Sequence, residues 1–307
     1  MEQHFGVKLP GLVPAYASNL ADVPDLVVEL EQQGWDDVFD GEHILFGPSM
    51  AHPGSTGDMV HGRSHKRSDR ADSLMMFSAI AAKTSHIAMF SGIILAAAHN
   101  FAVLARQAAT LDVLSGGRFV LGVGMGWYRG EFEAMGIPPK ERDQRLEETV
   151  RACQALWSPG LSSFEGRWIR FSEVLSEPAP VTAGGVPVWF GGNAVAGATA
   201  RRVATLGHGW LSREAADYEE VARSIESIEK ACSEAGREPK DLGYRVSLSP
   251  PPAGLPPRQT PGEVIDTVVP YAVRLAGLGV THFSVPVNYY GLAVPEWADL
   301  LKALRRG

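Results

Sequence analysis

Residues 118–127 read Arg118-Phe-Val-Leu-Gly-Val-Gly-Met-Gly-Trp127. The stretch Arg118–Val123 is a short apolar run of strand type, and glycines alternate at its end, at 122, 124 and 126. Without a Cβ, such residues let a ligand approach the backbone closely. The spacing fails the dinucleotide fingerprint, because the third glycine comes one residue early and Tyr128-Arg-Gly-Glu-Phe132 is a poor immediate helix. Two readings stand: a plain glycine turn, or a cofactor-facing loop that takes in Met125, Gly126 and Trp127.

Similar runs recur on both sides of this one. Strands are expected at Phe5–Leu9, Asp37–Phe39, Ile87–Leu95, Val186–Phe190, Gly209–Leu211, Tyr244–Leu248 and His282–Val287. Between them the apolar period changes to that of a helix. Leu20, Val23, Val27 and Leu30 make one stripe, Leu146, Val150, Cys153 and Trp157 another, and Val221, Ile225, Ile228 and Cys232 a third. Strands that each lead into a helix, over about this length, are the pattern of an α/β protein of the (β/α)8 barrel type. An open doubly wound sheet is the rival, but no linker or composition shift divides the chain, so residues 1–307 read as a single domain. Phe164–Phe171 reads as a small hairpin around Glu165-Gly166-Arg167. Two long segments interrupt the alternation, Gly47–Ala71 after the second strand and the proline-rich Pro250–Pro261 after the seventh. In a barrel both would be insertions at the carboxyl-terminal face, where active sites lie.

The composition sets bounds. With 28 Lys+Arg against 35 Asp+Glu the formal net charge is −7, which argues against nucleic acid as a partner. Apolar residues at 45% and charged residues at 21% fit a globular chain rather than a disordered one. Cys153 and Cys232 fall on apolar helix positions and read as reduced core thiols. The opening Met-Glu-Gln-His-Phe-Gly has no signal-peptide pattern. The longest apolar stretch, Ile87 to Ala105, is broken by His99 and Asn100. It falls short of a membrane span, so the expectation is a cytoplasmic protein without membrane attachment.

Further candidates for chemistry sit at expected strand ends. Gly191-Gly192-Asn193 closes the fifth barrel strand, with a helix expected from about Ala194 and Asn193 as its N-cap. Amides there would suit an anion, unless the motif is only a structural turn. Asp40-Gly41-Glu42-His43 closes the second strand, and a histidine in that place is a candidate general acid or base. Ser91-Gly92-Ile93 lies inside the third expected strand, where a glycine suggests a bulge or a close approach by a ligand. His52, His61 and His65 match no zinc spacing, so no metal is expected. Arg63, Lys66, Arg67 and Arg70 read either as a solvated loop or as a clamp for an anionic ligand. A Walker sequence and a G-x-S-x-G nucleophile elbow are both absent from the sequence.

Taken together, these residues resemble the bacterial luciferase-like monooxygenase superfamily, especially its coenzyme F420-dependent oxidoreductases. The resemblance covers nearly the whole chain. It is densest at Thr84-Ser-His-Ile-Ala88, Leu114 through Trp127, Glu131, Gly136, Arg142, Arg145-Leu-Glu-Glu148 and Leu156-Trp157. It continues through Phe164-Glu-Gly-Arg-Trp168 and Pro187-Val-Trp-Phe-Gly-Gly192. It implies a luciferase-like TIM barrel with the reactive ring at the carboxyl ends of the strands, and a homodimer; Met75, Met76 and Ile80 make an apolar face that would serve the dimer or pack on the barrel. The strand-two histidine carries over onto His43 as acid/base. The bulge, with a non-proline cis peptide, carries over onto Ser91, Gly92 and Ile93. The cofactor-side loop carries over onto Met125, Gly126 and Trp127, and the phosphate-side loop onto Gly191, Gly192 and Asn193. The basic cluster at 63–70 would hold the coenzyme's anionic tail or an anionic substrate.

Some members carry a glutamate directly after the glycine run. Here Trp127 stands in that place and the nearest acid is Glu131, which puts a two-residue acid/base mechanism in doubt. The expected function is hydride transfer between coenzyme F420 and a small organic substrate. An FMN-dependent monooxygenase using O2 and a partner reductase is one alternative. A non-catalytic flavin- or deazaflavin-binding protein is the other.

Overall fold

Eight of the apolar runs become parallel strands because the intervening amphipathic helices cover their outer face. The structure is a computed structural model and describes residues 2–9, 17, 19–45, 71–213, 216–248 and 260–307. In chain order it has β1 (His4–Lys8), α1 (Val23–Gln33), β2 (Asp37–Asp40), α2 (Ser73–Ala81), β3 (Ala88–Ser91), α3 (Phe101–Ser115) and β4 (Phe119–Val123). A short α4 (Arg129–Ala134), then α5 (Arg142–Leu156), and the hairpin β5 (Ser162–Glu165) and β6 (Arg170–Val174) come next. The second half holds β7 (Val188–Gly191), α6 (Ala198–Leu206), β8 (Gly209–Leu211), α7 (Tyr218–Ala235), β9 (Gly243–Ser247) and α8 (Pro261–Ala276). It ends with β10 (His282–Val285), α9 (Val287–Tyr290) and α10 (Val294–Leu304).

The strands close in the order β1-β10-β9-β8-β7-β4-β3-β2, and the hairpin stands apart as its own two-stranded sheet. The expected barrel is therefore present. The helix stripes at Val23, Val27 and Leu30, at Leu146, Val150, Cys153 and Trp157, and at Val221, Ile225, Ile228 and Cys232 are all buried. Local chemistry fixes the helix ends. Asn100 accepts from the Ala102 and Val103 amides at the head of α3, and Gly116 closes it at φ 66°. Of the candidate dimer face, Ile80 is buried, Met76 packs partly buried against the core, and Met75 is 67% exposed.

Three expectations change. The third run does not stay a strand to Leu95: β3 stops at Ser91, the Gly92–Ile93 peptide is cis, and a 3-10 turn occupies Ala96–Ala98. Residue 92 has to be glycine there, because a Cβ would strike the Phe39 ring. The last strand stops at Val285 because Pro286, which lacks an N–H, begins a helical turn. The helix after β7 starts at Ala198, because Ala194–Ala196 is a 3-10 turn ended by Gly197 at φ 76°. Gly47–Ala71 and Pro250–Pro261, with His52, His61, His65, Arg63, Lys66, Arg67 and Arg70, lie outside the described residues apart from Ala71, Thr260 and Pro261. No described helix is long and apolar enough to cross a membrane.

The lower barrel is filled and the upper end is left open. Phe90, Trp189 and Leu211 form an inner cluster, with Phe39 and Ile93 packed against it. Gly209 and Gly243 make room for the Trp189 indole, which a Cβ on either would strike. Between Phe39 and Phe90, at 4.9 and 4.6 Å from the ring centres, lies the Arg245 guanidinium. It donates to Asp37 at 2.5 Å and to the Ser284 hydroxyl at 2.7 Å. Burial, then the nearby Arg245 and His4 charges, pushes the His282 imidazole down to about 2, so it is neutral here.

Gly122→Ala tests this packing. Its Cβ would meet the Ser91 backbone carbonyl, which cannot swing aside. The variant is expected to lose about 1–3 kcal/mol or more in a denaturant titration. Gly262→Ala, where a Cβ meets open space in the first turn of α8, should hold or raise the midpoint.

Candidate active site

The strand ends surround a cavity of about 360 Å³. Its two halves differ in character. One wall is backbone and apolar: Gly92, Ile93, Leu95 and the loop Gly124 to Trp127. The opposite wall carries polar groups from the ends of β1 and β8–β10, including Lys8, Ser212, Arg213 and Arg245. The volume is within the usual ligand-site range of about 300–1,000 Å³.

His43 follows β2 and lines the cavity. Its Nδ1 lies 3.2 Å from Glu131 Oε2. An ionised carboxylate only accepts, so Nδ1 carries the proton and donates. The other oxygen, Oε1, accepts the Ile44 amide and, at 2.9 Å, the Leu45 amide. Glu131 is buried completely, and these donors offset the cost of its buried charge. One carboxylate on α4 thus fixes three successive residues after β2. The Trp127 indole stands edge-on to the imidazole, with ring centres 5.5 Å apart.

A second carboxylate–imidazole pair sits one residue earlier. Glu42 Oε2 accepts the Leu95 amide at 2.8 Å, and His99 Nε2 lies 3.0 Å from both Glu42 oxygens. The Glu42 amide donates to the Ile93 carbonyl at 3.0 Å. Burial alone would depress His99, but the Glu42 carboxylate, as acceptor and as charge, and Asp72 raise it above its ordinary 6.5.

The family model for luciferase-like monooxygenases matches residues 4–253. The chain belongs to the luciferase-like monooxygenase family. Members of this family are oxidoreductases and monooxygenases. An uncharacterized protein of Mycobacterium bovis is 30% identical over 261 residues, covering 81% of this chain and 85% of its own. An FMNH2-dependent dimethylsulfone monooxygenase of Pseudomonas putida is 29% identical over 198 residues, 64% of this chain and 52% of that one. Among solved structures, an F420-dependent secondary alcohol dehydrogenase holding an F420–acetone adduct superposes with TM-score 0.74 at 17% identity, over 99% of this chain and 100% of that one.

The expected site residues of this family member separate into two groups. His43, Gly92, Ile93, Met125, Gly126, Trp127, Gly191 and Gly192 all border the cavity. Ser91 and Asn193 do not. The Ser91 hydroxyl is buried between strands, donating to the Gly122 carbonyl at 3.0 Å and accepting the Gly122 amide at 2.8 Å. Asn193 is spent on the Val195 amide at 2.9 Å, and the Gly192 amide donates to Leu211. The Asn193 oxygen and the Gly192 amide are therefore engaged within the protein.

Glu131 was the acid that the spacing from Trp127 argued against. The short helix α4 carries it back over the strand ends, so the chain has a carboxylate beside His43 after all. The sequence offered only an acid four residues past Trp127; its burial beside His43 needed the fold. Cys153 is no nucleophile, since burial pushes its thiol up to about 12. Among the described residues no cluster of three or more His, Cys, Asp or Glu could hold a metal.

Proposed function

We propose that this protein is an oxidoreductase that binds coenzyme F420 in the cavity and exchanges a hydride with a small organic substrate. The observation that carries this reading is the His43–Glu131 pair beside a wall of bare backbone. Such a wall suits a flat ring: a Cβ at Gly41 or Gly191 would push against Gly92 or Ile93 and thicken it. Gly92, Ile93 and the 125–127 loop would hold one face of the ring, and Gly191 and Gly192 its far end. When bound, the coenzyme supplies the hydride donor or acceptor. The protein's part is to position the reactants and move the proton.

Reduction of a carbonyl to an alcohol takes a hydride at carbon and a proton at oxygen. With Nδ1–H held by Glu131, Nε2 is the nitrogen through which His43 would give that proton, or take it in the reverse direction. Glu131 would stabilise the charged imidazole and fix its orientation.

A second reading, an FMN-dependent monooxygenase fed by a separate reductase, is favoured by the likeness to the Pseudomonas putida enzyme. Anaerobic titration of the apoprotein with coenzyme F420 and, in parallel, with FMN separates the two. Micromolar or tighter binding of the deazaflavin alone is expected. Preference for FMN with substrate-linked oxygen uptake would replace the first reading with the second. Binding of neither would end both.

A further inference from the structure

We infer that Glu42 and His99 form a positioning couple that holds the cavity wall formed by Ile93 and Leu95 against the end of β2. This rests on the proposed cofactor reading, because it assigns the couple a role toward the ring that the wall would carry. The geometry is reciprocal. Glu42 gives its own amide to Ile93 and takes the amide of Leu95, so residues 93–95 are gripped from both ends by one residue. His99 closes the grip from the far side, donating through Nε2 to the same carboxylate. Glu42 is 9% exposed and borders the cavity.

The consequence spreads to the neighbouring loop. A Cβ on Gly126 would overlap the Leu95 side chain, so the turn at 126 and the wall at 95 already lie in contact. The adjacent His43 is oriented separately, by Glu131. Two carboxylate–imidazole pairs therefore divide the work: one fixes the proton-moving group, the other the surface on which the ring would lie.

The couple also has a pH sense. Among the described residues, the charged groups that act on His99 are Glu42, from the end of β2, and Asp72, at the head of α2. Because folding raises His99, its contribution is complete below its ordinary value of 6.5 and is lost as pH rises through the raised one. Above that, the neutral imidazole still donates through Nε2, but without charge assistance.

The test compares His99→Leu, which removes the donor, with His99→Gln, whose amide still reaches a carboxylate. Binding of coenzyme F420 and FMN is measured by fluorescence at about pH 6 and pH 8.5, on either side of the region where a histidine titrates. Wild type should bind the preferred coenzyme more tightly at the lower pH. His99→Leu should weaken binding by about tenfold to a hundredfold. His99→Gln should keep most of the affinity and lose the pH dependence. Wild-type affinity in His99→Leu would overturn the proposal. So would equal losses in both variants that track a lower melting midpoint, since that is ordinary fold support. If wild type binds neither coenzyme, the cofactor reading falls, and hydrogen exchange on the apoprotein decides the couple. Faster exchange of the Leu95 amide in His99→Leu, with β1 amides unchanged, upholds it; unchanged Leu95 exchange overturns it.

Discussion

Replacing His43 with alanine or asparagine is expected to lower turnover by about 10²–10⁴-fold, the usual worth of general acid–base help, while coenzyme affinity changes little. The proton would otherwise move through Nε2, and neither replacement offers a group there that can both give and take it. Glu131→Gln should act in the same direction. The amide nitrogen of glutamine would face Nδ1, favouring the tautomer that puts the proton on Nε2 and removing the charge that stabilises the imidazolium. Glu131→Ala is a poorer test, because it also strands the Ile44 and Leu45 amides. Single-turnover measurement of the hydride step, alongside coenzyme titration, separates chemistry from binding. Unchanged turnover in His43→Ala would remove His43 from the mechanism.

The largest stability effect is expected inside the barrel. Asp37→Ala would leave the Arg245 guanidinium 2% exposed without its carboxylate, and breaking a buried pair in this way costs about 3–5 kcal/mol. The pair is imperfectly served even when intact: Asp37 Oδ2 and Arg245 Nη1 are buried without a hydrogen-bond partner. The double change Asp37→Leu with Arg245→Met should therefore recover most of that loss, since hydrophobic replacements of a buried pair are often neutral or better. Urea denaturation of the two single variants and the double measures this directly. If the double is as unstable as Asp37→Ala, the ion pair is doing more than filling the barrel. The same region brings acid sensitivity. His282 is held down at about 2 in the folded chain against an ordinary 6.5. Its contribution is present above pH 6.5 and is lost progressively as pH falls toward the folded value.

The strand and helix pattern was legible because it is written in short-range periodicity. Most barrel strands are centred on buried apolar residues, and each stripe on α1, α5 and α7 repeats at the helical interval. Where the reading slipped, a single backbone event intervened. Ile87–Leu95 is apolar on both sides of Ser91-Gly92, and hydrophobicity carries no mark of where a ladder ends. The position after Ser91 must be glycine because Phe39, a residue from the neighbouring strand, lies where a Cβ at position 92 would have to go. Ser91 and Asn193 were singled out by their place beside glycines, yet each spends its side chain on a backbone amide, Ser91 on that of Gly122 in β4 and Asn193 on that of Val195 two residues on.

The sequence by itself determined the barrel, the wall of glycines and the placement of His43 at the end of a strand. Periodicity and strand-end position depend only on neighbours along the chain. Only the tertiary structure decided the partners. Glu131 reaches His43 across 88 positions, His99 reaches Glu42 across 57, and Arg245 reaches Asp37 across 208. Barrel closure makes each of these neighbours. The hydrogen bonds and charges that join them act over a few ångströms of space, whatever the number of residues between.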